Sequence, residues 1–146
     1  MATENIRITP AWLAGFVDRA ASFFVIIEPK DSYQLGRRIR PEFRLVQPAS
    51  ERAILVAVME FFEYGHIRVN KSGQLEYRVR NMDELEDLVN FFLKHPLSTK
   101  QQKDVLCFQK ILTLLREKEH LTEAQFARIV RIAEPIMRPA KRGIRS

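Results

Sequence analysis

Residues 38–46, RIRPEFRLV, alternate strictly between apolar and mostly charged side chains. Because successive side chains of a β-strand point to opposite faces, this period of two predicts a strand with one packed face and one charged face. A domain built on such a strand must bury one side of a sheet and leave the other side open. Proline lacks the amide proton of a sheet hydrogen bond, so Pro41 favours an edge position or a bulge. The predicted packed set is Ile39, Pro41, Phe43 and Leu45, and the predicted outward set is Arg38, Arg40, Glu42 and Arg44.

The other segments predict one more strand before this one, a hairpin after it, and helices between and beyond them. SFFVIIEPK has the β-branched and aromatic composition of a strand, and HIRV, NKSG and QLEYRVR form a hairpin pattern. Helices begin near Pro10, near Ser50 and in three later amphipathic segments. The predicted order is α-β-β-α-β-β-α-α-α. We expect a single α+β domain over residues 1–146, with a four-stranded antiparallel sheet and, over residues 137–146, a basic tail that is frayed or adds a phosphate contact.

Positive charge gathers on the predicted open face. The chain has 24 Lys and Arg against 18 Asp and Glu, a formal charge of +6, which favours a polyanionic partner. A merely solvated sheet face would mix side chains of both signs, whereas this one is mainly arginine, which suits bidentate contacts to phosphate and guanine. The sequence therefore predicts a nucleic-acid interface. Its candidate residues are Lys30, Arg37, Arg38, Arg40, Arg44, His66, Arg68, Asn70, Lys71, Arg78 and Arg80.

Several other classes of protein are disfavoured. No apolar run reaches the ~18 residues of a membrane span, and the first ten residues lack a signal-peptide pattern, so we expect a cytoplasmic or organellar-matrix protein with no membrane partner. The single Cys107 lies among apolar neighbours and is expected to fill core volume. The three histidines lack the spacing of a zinc site.

The first helix contains a glycine, Gly15, that costs ~1 kcal/mol relative to alanine and needs a packing reason. One explanation is close approach of a second helix, with Leu13, Ala14, Gly15 and Phe16 at a dimer interface. The other is contact with the chain's own sheet. The residues alone leave both open.

LAGFVDRAASF, residues 13–23, resembles the signature helix of the LAGLIDADG homing endonucleases. The segments PEFRLVQ, YRVRN, HPLSTKQQKD and KEHLTE also resemble the single-motif members, so the similarity covers roughly residues 10–137. The resemblance implies a saddle-shaped sheet and two chains that pair through their signature helices over duplex DNA. It therefore favours the dimer explanation for Gly15.

In this family a carboxylate at the foot of each signature helix binds Mg²⁺, and the position that carries it is Ala20 here. Asp18 matches the other acidic residue, which in the family braces the helix end, and Arg19 and Ala21 replace small residues of the turn. Gln47 matches a polar residue that orients water. A usual basic residue appears as Gln101, with Lys100 as a nearby substitute. The catalytic candidates are thus Asp18, Gln47, Lys100 and Gln101, with Asp18 the one alternative metal ligand.

A methyl group at position 20 cannot coordinate a hard cation, and a two-fold site loses the ligand twice. We therefore expect a homodimeric, sequence-specific DNA-binding protein with impaired cleavage. Two alternatives remain: an active Mg²⁺-dependent endonuclease that uses Asp18 and Gln47, and a maturase that binds intron RNA.

Overall fold

The computed structural model describes residues 6–117 and 121–139. It contains five α-helices, two 3₁₀ turns and a five-stranded sheet of order β3-β4-β2-β1-β5. The elements are α1 Pro10–Ala20, β1 Ala21–Pro29, β2 Arg37–Gln47, a turn Ala49–Glu51, α2 Arg52–Phe62, β3 His66–Val69, β4 Leu75–Val79, α3 Met82–Lys94, α4 Gln101–Glu117, α5 Glu123–Ala133, a turn Glu134–Ile136 and β5 Met137–Arg138.

The predicted α+β class and the predicted order of helices and strands are confirmed, but the four-stranded antiparallel sheet is wrong. The sheet is mixed, because β5 pairs in parallel with β1, Val25 opposite Met137 and Ile26 opposite Arg138. Ile136 is buried and anchors the approach of β5 to the outer edge of β1. The predicted basic tail over residues 137–146 therefore begins with two residues of the sheet, and residues 140–146 lie outside the described part.

The hydrophobic core lies between one face of the sheet and the helices. Phe23 of β1 is central: its ring centroid lies 4.9 Å from that of Phe43 on β2, 5.4 Å from Phe108 on α4 and 6.0 Å from Phe92 on α3. Such tilted and edge-on arrangements are the favoured ones for buried aromatic rings. One side chain thus joins the sheet to two of the helices.

Helix α1 runs into β1 without a loop. The hydroxyl of Thr9 accepts a hydrogen bond from the amide of Trp12 at 3.1 Å, and Pro10 occupies the first turn, where its missing amide proton costs nothing. At the other end, Ala21 leaves the helix directly in extended conformation. The last residues of α1 are therefore held next to the first residue of β1.

Gly65→Ala is expected to lower the free energy of unfolding by about 2–4 kcal/mol, because alanine would be strained at a positive φ and its Cβ would overpack the core. Gly65 has φ +88°, and a Cβ there would lie 2.6 Å from Cε1 of Tyr77. That ring cannot move aside easily, because it is fully buried and its hydroxyl donates to the carbonyl of Tyr64 at 2.9 Å.

Gly73→Ala is the matched control for this urea-denaturation measurement. Gly73 has φ +83°, but a Cβ there meets nothing within 4 Å, so only the backbone cost of about 1 kcal/mol is expected. Equal losses in the two variants would contradict the close packing of Gly65 on Tyr77.

Candidate nucleic-acid interface

The face of the sheet opposite the helices, called the open face below, is dominated by arginine. Alternation along each strand places the even-numbered residues of β1 and β2 on it, since Arg44 lies opposite Ser22 on one side and Arg78 on the other. His66 and Arg68 of β3 continue the rows beside Arg78 and Glu76. The open face carries seven arginines, Arg38, Arg40, Arg44, Arg68, Arg78, Arg80 and Arg138, and three glutamates, Glu28, Glu42 and Glu76.

Glu42 is the most buried ionisable group of the open face, with 0 % of its surface exposed. Its carboxylate accepts from Nη1 of Arg40 at 2.8 Å, from Nε of Arg44 at 2.8 Å and from Nε of Arg80 at 3.0 Å. Hydrogen bonds between charged partners are shorter and stronger than neutral ones. One carboxylate therefore holds guanidinium groups from two strands.

Glu28 and Glu76 extend this arrangement to both ends. Glu28 accepts from Arg38 at 2.5 Å and from Arg40 at 3.2 Å. Glu76 accepts from Arg68 at 3.0 Å and from the side-chain amide of Asn70 at 3.2 Å, and lies 3.7 Å from Nε of Arg44. We call the three glutamates together with Arg38, Arg40, Arg44, Arg68 and Arg80 the ion-pair network.

The carboxyl groups of the ion-pair network stay ionised because of their arginine neighbours. Burial by itself raises the pKa of each glutamate, but the contacts with arginine, joined at Glu76 by Asn70, outweigh burial and hold the pKa of each carboxyl below the ordinary value of 4.5. Seven arginines against three ionised glutamates leave the open face positively charged. Its cationic side chains are also held in fixed positions.

Arg78 is different from the arginines of the ion-pair network. It is 6 % exposed, and its Nε has no hydrogen-bond partner among the residues that the structure describes. Burial lowers the pKa of Arg78 to about 10, and the charge of Arg80 lowers it in the same direction. The side chain remains protonated at neutral pH, so a buried cation at the centre of the open face lacks an acceptor.

Phe24 and Arg138 of the open face were not singled out by the sequence. Phe24 is buried to 1 % exposure on this side, and its ring lies beneath the guanidinium groups of Arg44, at 4.9 Å, and Arg138, at 4.0 Å. Alternation with the core residue Phe23 is the signal that assigns Phe24 to the open face. Arg138 gave no such signal, since its place depends on a two-residue strand at the end of the fold.

Besides Arg78 and Asn70, four of the predicted DNA-binding residues lie outside the ion-pair network. Arg37 does not lie on the open face, because it packs over the ring of Phe126 at 4.3 Å and pairs with Glu123 of α5 at 3.4 Å. Lys30 follows β1 and Lys71 follows β3, both exposed in connecting loops, and His66 is exposed on β3. The loops and the outer strand thus carry further positive and polar groups at the rim.

Asp18, at the end of α1, is fully occupied by hydrogen bonds to the loop between α3 and α4. Its carboxylate accepts from the amides of Ser98 at 2.9 Å and Thr99 at 3.1 Å, and from the hydroxyl of Thr99 at 2.5 Å. This geometry fits a residue that braces the end of the helix.

The remaining catalytic candidates are only partly brought together. The side-chain amide of Gln101 donates to the carbonyl of Ala21 at 2.7 Å, which places it beside the end of α1. Gln47 instead donates to the carbonyl of its own neighbour Val46 at 2.9 Å, and Lys100 is exposed. Within the described residues no group of three or more His, Cys, Asp or Glu side chains could hold a metal ion. Ala20 ends in a methyl group and itself offers no oxygen ligand for a cation.

Helix α1 presents an apolar face to solvent. Trp12 is 38 % exposed and stacks on Phe16 with ring centroids 5.0 Å apart, and Gly15 lies exposed beside them. A Cβ on Gly15 would meet nothing within 4 Å, so the explanation that Gly15 packs against its own sheet is wrong. Leu13 does not belong to this face, because it is completely buried in the chain's own core, and Ala14 is half-buried.

These features define an α+β protein whose first helix leads directly into a sheet with one face packed on helices and the other open and rich in arginine. A model of the LAGLIDADG endonuclease family matches residues 13–112, and the chain belongs to that family. The solved structure of the homing endonuclease I-TnaI is 35 % identical and superposes with a TM-score of 0.85, over 90 % of this chain and 89 % of that chain. I-LtrWI bound to target DNA is 28 % identical, with a TM-score of 0.82 over 88 % of this chain and 44 % of that one.

Curated relatives carry endonuclease names. A probable intron-encoded endonuclease 2 of Neurospora crassa is 28 % identical over 79 % of this chain and 26 % of its own length. The DNA endonuclease I-CvuI of Chlorella vulgaris is 28 % identical over 78 % of this chain and 71 % of its own. The chain spans about a quarter of the length of the first of these relatives. Among residues 6–117 and 121–139, no helix combines the length and apolar composition needed to cross a membrane.

Glu42→Gln is expected to lower the free energy of unfolding at pH 7 by about 2–3 kcal/mol, because it removes the charge of a buried carboxylate that accepts from three arginines. The loss is limited because these arginines keep some contact with solvent. Since the folded-state pKa of Glu42 lies below its unfolded value, its contribution is present above about pH 4.5 and is lost as the pH falls. The variant should therefore lose stability less steeply than the parent between about pH 5 and pH 3.

Glu123→Gln is the control for this pH series of chemical denaturation. Its carboxylate is 75 % exposed and pairs with Arg37 at the surface, so a loss of less than about 1 kcal/mol is expected. Identical pH profiles for the parent and Glu42→Gln would contradict the proposed importance of the buried carboxylate.

Proposed function

We propose that two copies of this chain bind duplex DNA at a specific sequence through their open faces, and that the protein cleaves it poorly or not at all. The observation that carries the binding part is the ion-pair network, which holds charged arginines in fixed positions across a sheet surface. The observation that carries the cleavage part is Ala20, at the position where the family has a metal-binding acid.

Duplex DNA fits the open face better than other polyanions do. The major groove admits a two-stranded β-ribbon, and arginine donates two parallel hydrogen bonds to the O6 and N7 of guanine. Arginines fixed by buried carboxylates lose little further conformational entropy on binding, which favours sequence recognition over loose attraction. The related endonuclease I-LtrWI has been solved bound to its target DNA.

The exposed face of α1 supports pairing of two chains. Trp12 and Phe16 offer apolar area, and Gly15 between them lets a second helix approach closely. A two-fold axis through this face would bring the same surface of both chains together, as isologous dimers require. Two sheets beside such an axis would give one continuous surface for the two halves of a DNA site.

Loss of efficient cleavage follows from the groups at the end of α1. Mg²⁺ prefers carboxylate oxygens, and Ala20 supplies none. Asp18 could replace it only by giving up its hydrogen bonds to Ser98 and Thr99. Arg19, exposed next to Ala20, adds a positive charge that opposes cation binding. We therefore propose a role in DNA binding, as a repressor or as a passenger of an intron, in the cytoplasm or an organellar matrix.

Ala20→Asp is expected to restore Mg²⁺-dependent cleavage of both strands, whereas the parent binds the same duplex and leaves it intact. The physical reason is that the variant returns one hard oxygen ligand to each chain of the dimer. The measurement is incubation of both proteins with a duplex selected from a randomised library, in Mg²⁺ and in Mn²⁺, with the products separated on a denaturing gel.

Ala20→Asn controls for side-chain size in this assay, since it has nearly the shape of aspartate without the charge, and it should not cut. Cleavage by the parent at the rate of Ala20→Asp would overturn the proposed deficiency and would support an active endonuclease built on Asp18 and Gln47. Selection of no duplex at all, with tight binding of intron RNA, would replace DNA binding by a maturase function.

Gly15→Glu is expected to give a folded monomer. A side chain at this position meets none of the described residues within 4 Å, so the fold should tolerate it, but two glutamates would collide and repel at a shared helix face. Light scattering after size-exclusion chromatography measures the mass, and circular dichroism checks the fold.

Leu106→Glu is the matched control, because Leu106 is a 50 % exposed apolar residue of α4, away from α1. It should leave the dimer intact. A parent that is monomeric at micromolar concentration both free and on DNA would contradict pairing through α1, as would a Gly15→Glu variant that is still dimeric.

A further inference from the structure

Arg78 lies in the interior of the open face, because β4 has a strand on each side. It lies opposite His66 of β3 and opposite Arg44 of β2. Along the chain it lies between Glu76 and Arg80. These four neighbours are all polar or charged.

The carboxylates nearest to Arg78 are already occupied. Both oxygens of Glu42 bind guanidinium groups, one those of Arg40 and Arg80 and the other that of Arg44. Both oxygens of Glu76 are occupied as well, one by Arg68 and the other by Asn70. The side chain of Arg78 takes part in none of the side-chain hydrogen bonds or ion pairs found among the described residues.

An unpartnered guanidinium group in this position is unfavourable in the free protein. Its Nε is buried without an acceptor in the described part of the chain, and only 6 % of the surface of Arg78 is exposed. Burial disfavours its charged form and lowers its pKa, and the charge of Arg80 acts in the same direction. A group that supplied acceptor atoms from above the open face would offset the cost of keeping this charge without a partner.

We propose that Arg78 recognises a guanine in each half of the bound duplex and is thereby a specificity-determining residue; this rests on the proposed function. Guanine presents two adjacent acceptors, O6 and N7, in the major groove, which match the planar fork of arginine. A backbone phosphate offers similar acceptors, but phosphates run along the edges of the groove, a position that suits the exposed Lys30 and Lys71 of the connecting loops better. Arg78, on an interior strand of the open face, is placed for a base edge.

The arginines of the ion-pair network then have a different part from Arg78. Their guanidinium groups share donors with glutamates, so fewer donors remain free for DNA. They hold the positive charge and the shape of the surface around Arg78, whose buried Nε has no acceptor among residues 6–117 and 121–139. Recognition of a base by Arg78 thus depends on ion pairs that the surrounding residues already make.

The test compares the parent, Arg78→Met and Arg80→Met in selection from a randomised duplex library, followed by binding measurements at each position of the chosen site. Methionine keeps much of the apolar stem of arginine and removes the donors. Arg78→Met is expected to lose the preference for guanine at one symmetry-related pair of positions by about tenfold or more, with preferences elsewhere kept. Because it removes an unpartnered buried charge, its melting temperature should equal or exceed that of the parent.

Arg80→Met is the matched control, since Arg80 follows the end of β4 on the same face but donates to Glu42 at 3.0 Å. It should retain the guanine preference that Arg78→Met loses. A uniform loss of affinity across all sequences in Arg78→Met, with a shallower salt dependence, would assign Arg78 to a phosphate and overturn the inference.

Three further results would also count against it: an unchanged guanine preference in Arg78→Met, loss of the same preference in Arg80→Met, or a melting temperature of Arg78→Met well below that of the parent. Failure of the parent itself to select any duplex is a different outcome. That result would overturn the proposed function, whereas the others overturn the assignment of Arg78 alone.

Discussion

The carboxylate of Glu42, completely buried beneath three guanidinium groups, is the interaction on which the open face of this protein depends. Without it, the arginines of β2 and β4 would lie side by side as unpaired like charges on adjacent strands, an arrangement that destabilises a sheet. The same strand supplies Phe43 to the core directly beside Glu42. β2 therefore joins the packing that stabilises the fold to the charge that we propose binds DNA.

Positions 18 and 20 of α1 contribute differently to the fold, so a carboxylate can be absent from position 20 while the fold is kept. Asp18 is bonded to Ser98 and Thr99 and so ties α1 to the loop before α4. Replacing it would leave those donors without an acceptor. Position 20 needs no acceptor in the folded chain, because Ala20 only packs at the margin of the core. A substitution there changes chemistry at little cost to stability.

Much of the fold could be predicted from the sequence because its patterns are local. Alternation in β2 assigned Phe43 and Arg44 to opposite faces, as the structure has them. The capping box that Thr122 and Gln125 form at the start of α5 is equally local. The parallel strand β5 could not be predicted in this way, since two residues carry no periodicity and their pairing with β1 is decided by the packed chain. Arg37 was assigned to the DNA interface. It is an odd-numbered residue of β2, however, and its side chain packs over Phe126. The sequence also could not show that the side chain of Arg78 pairs with no carboxylate of the described residues, because it predicts six arginines on the open face without showing which of them contact a glutamate.

We propose above all that this arrangement binds duplex DNA of a specific sequence. The most direct measurement is the equilibrium affinity of the parent for its selected duplex and for a scrambled duplex of equal composition, over a series of KCl concentrations. Binding to the selected duplex is expected to be about a thousandfold tighter or more, and its affinity should fall linearly with salt on logarithmic axes. Equal affinity for both duplexes, or binding indifferent to salt, would contradict it.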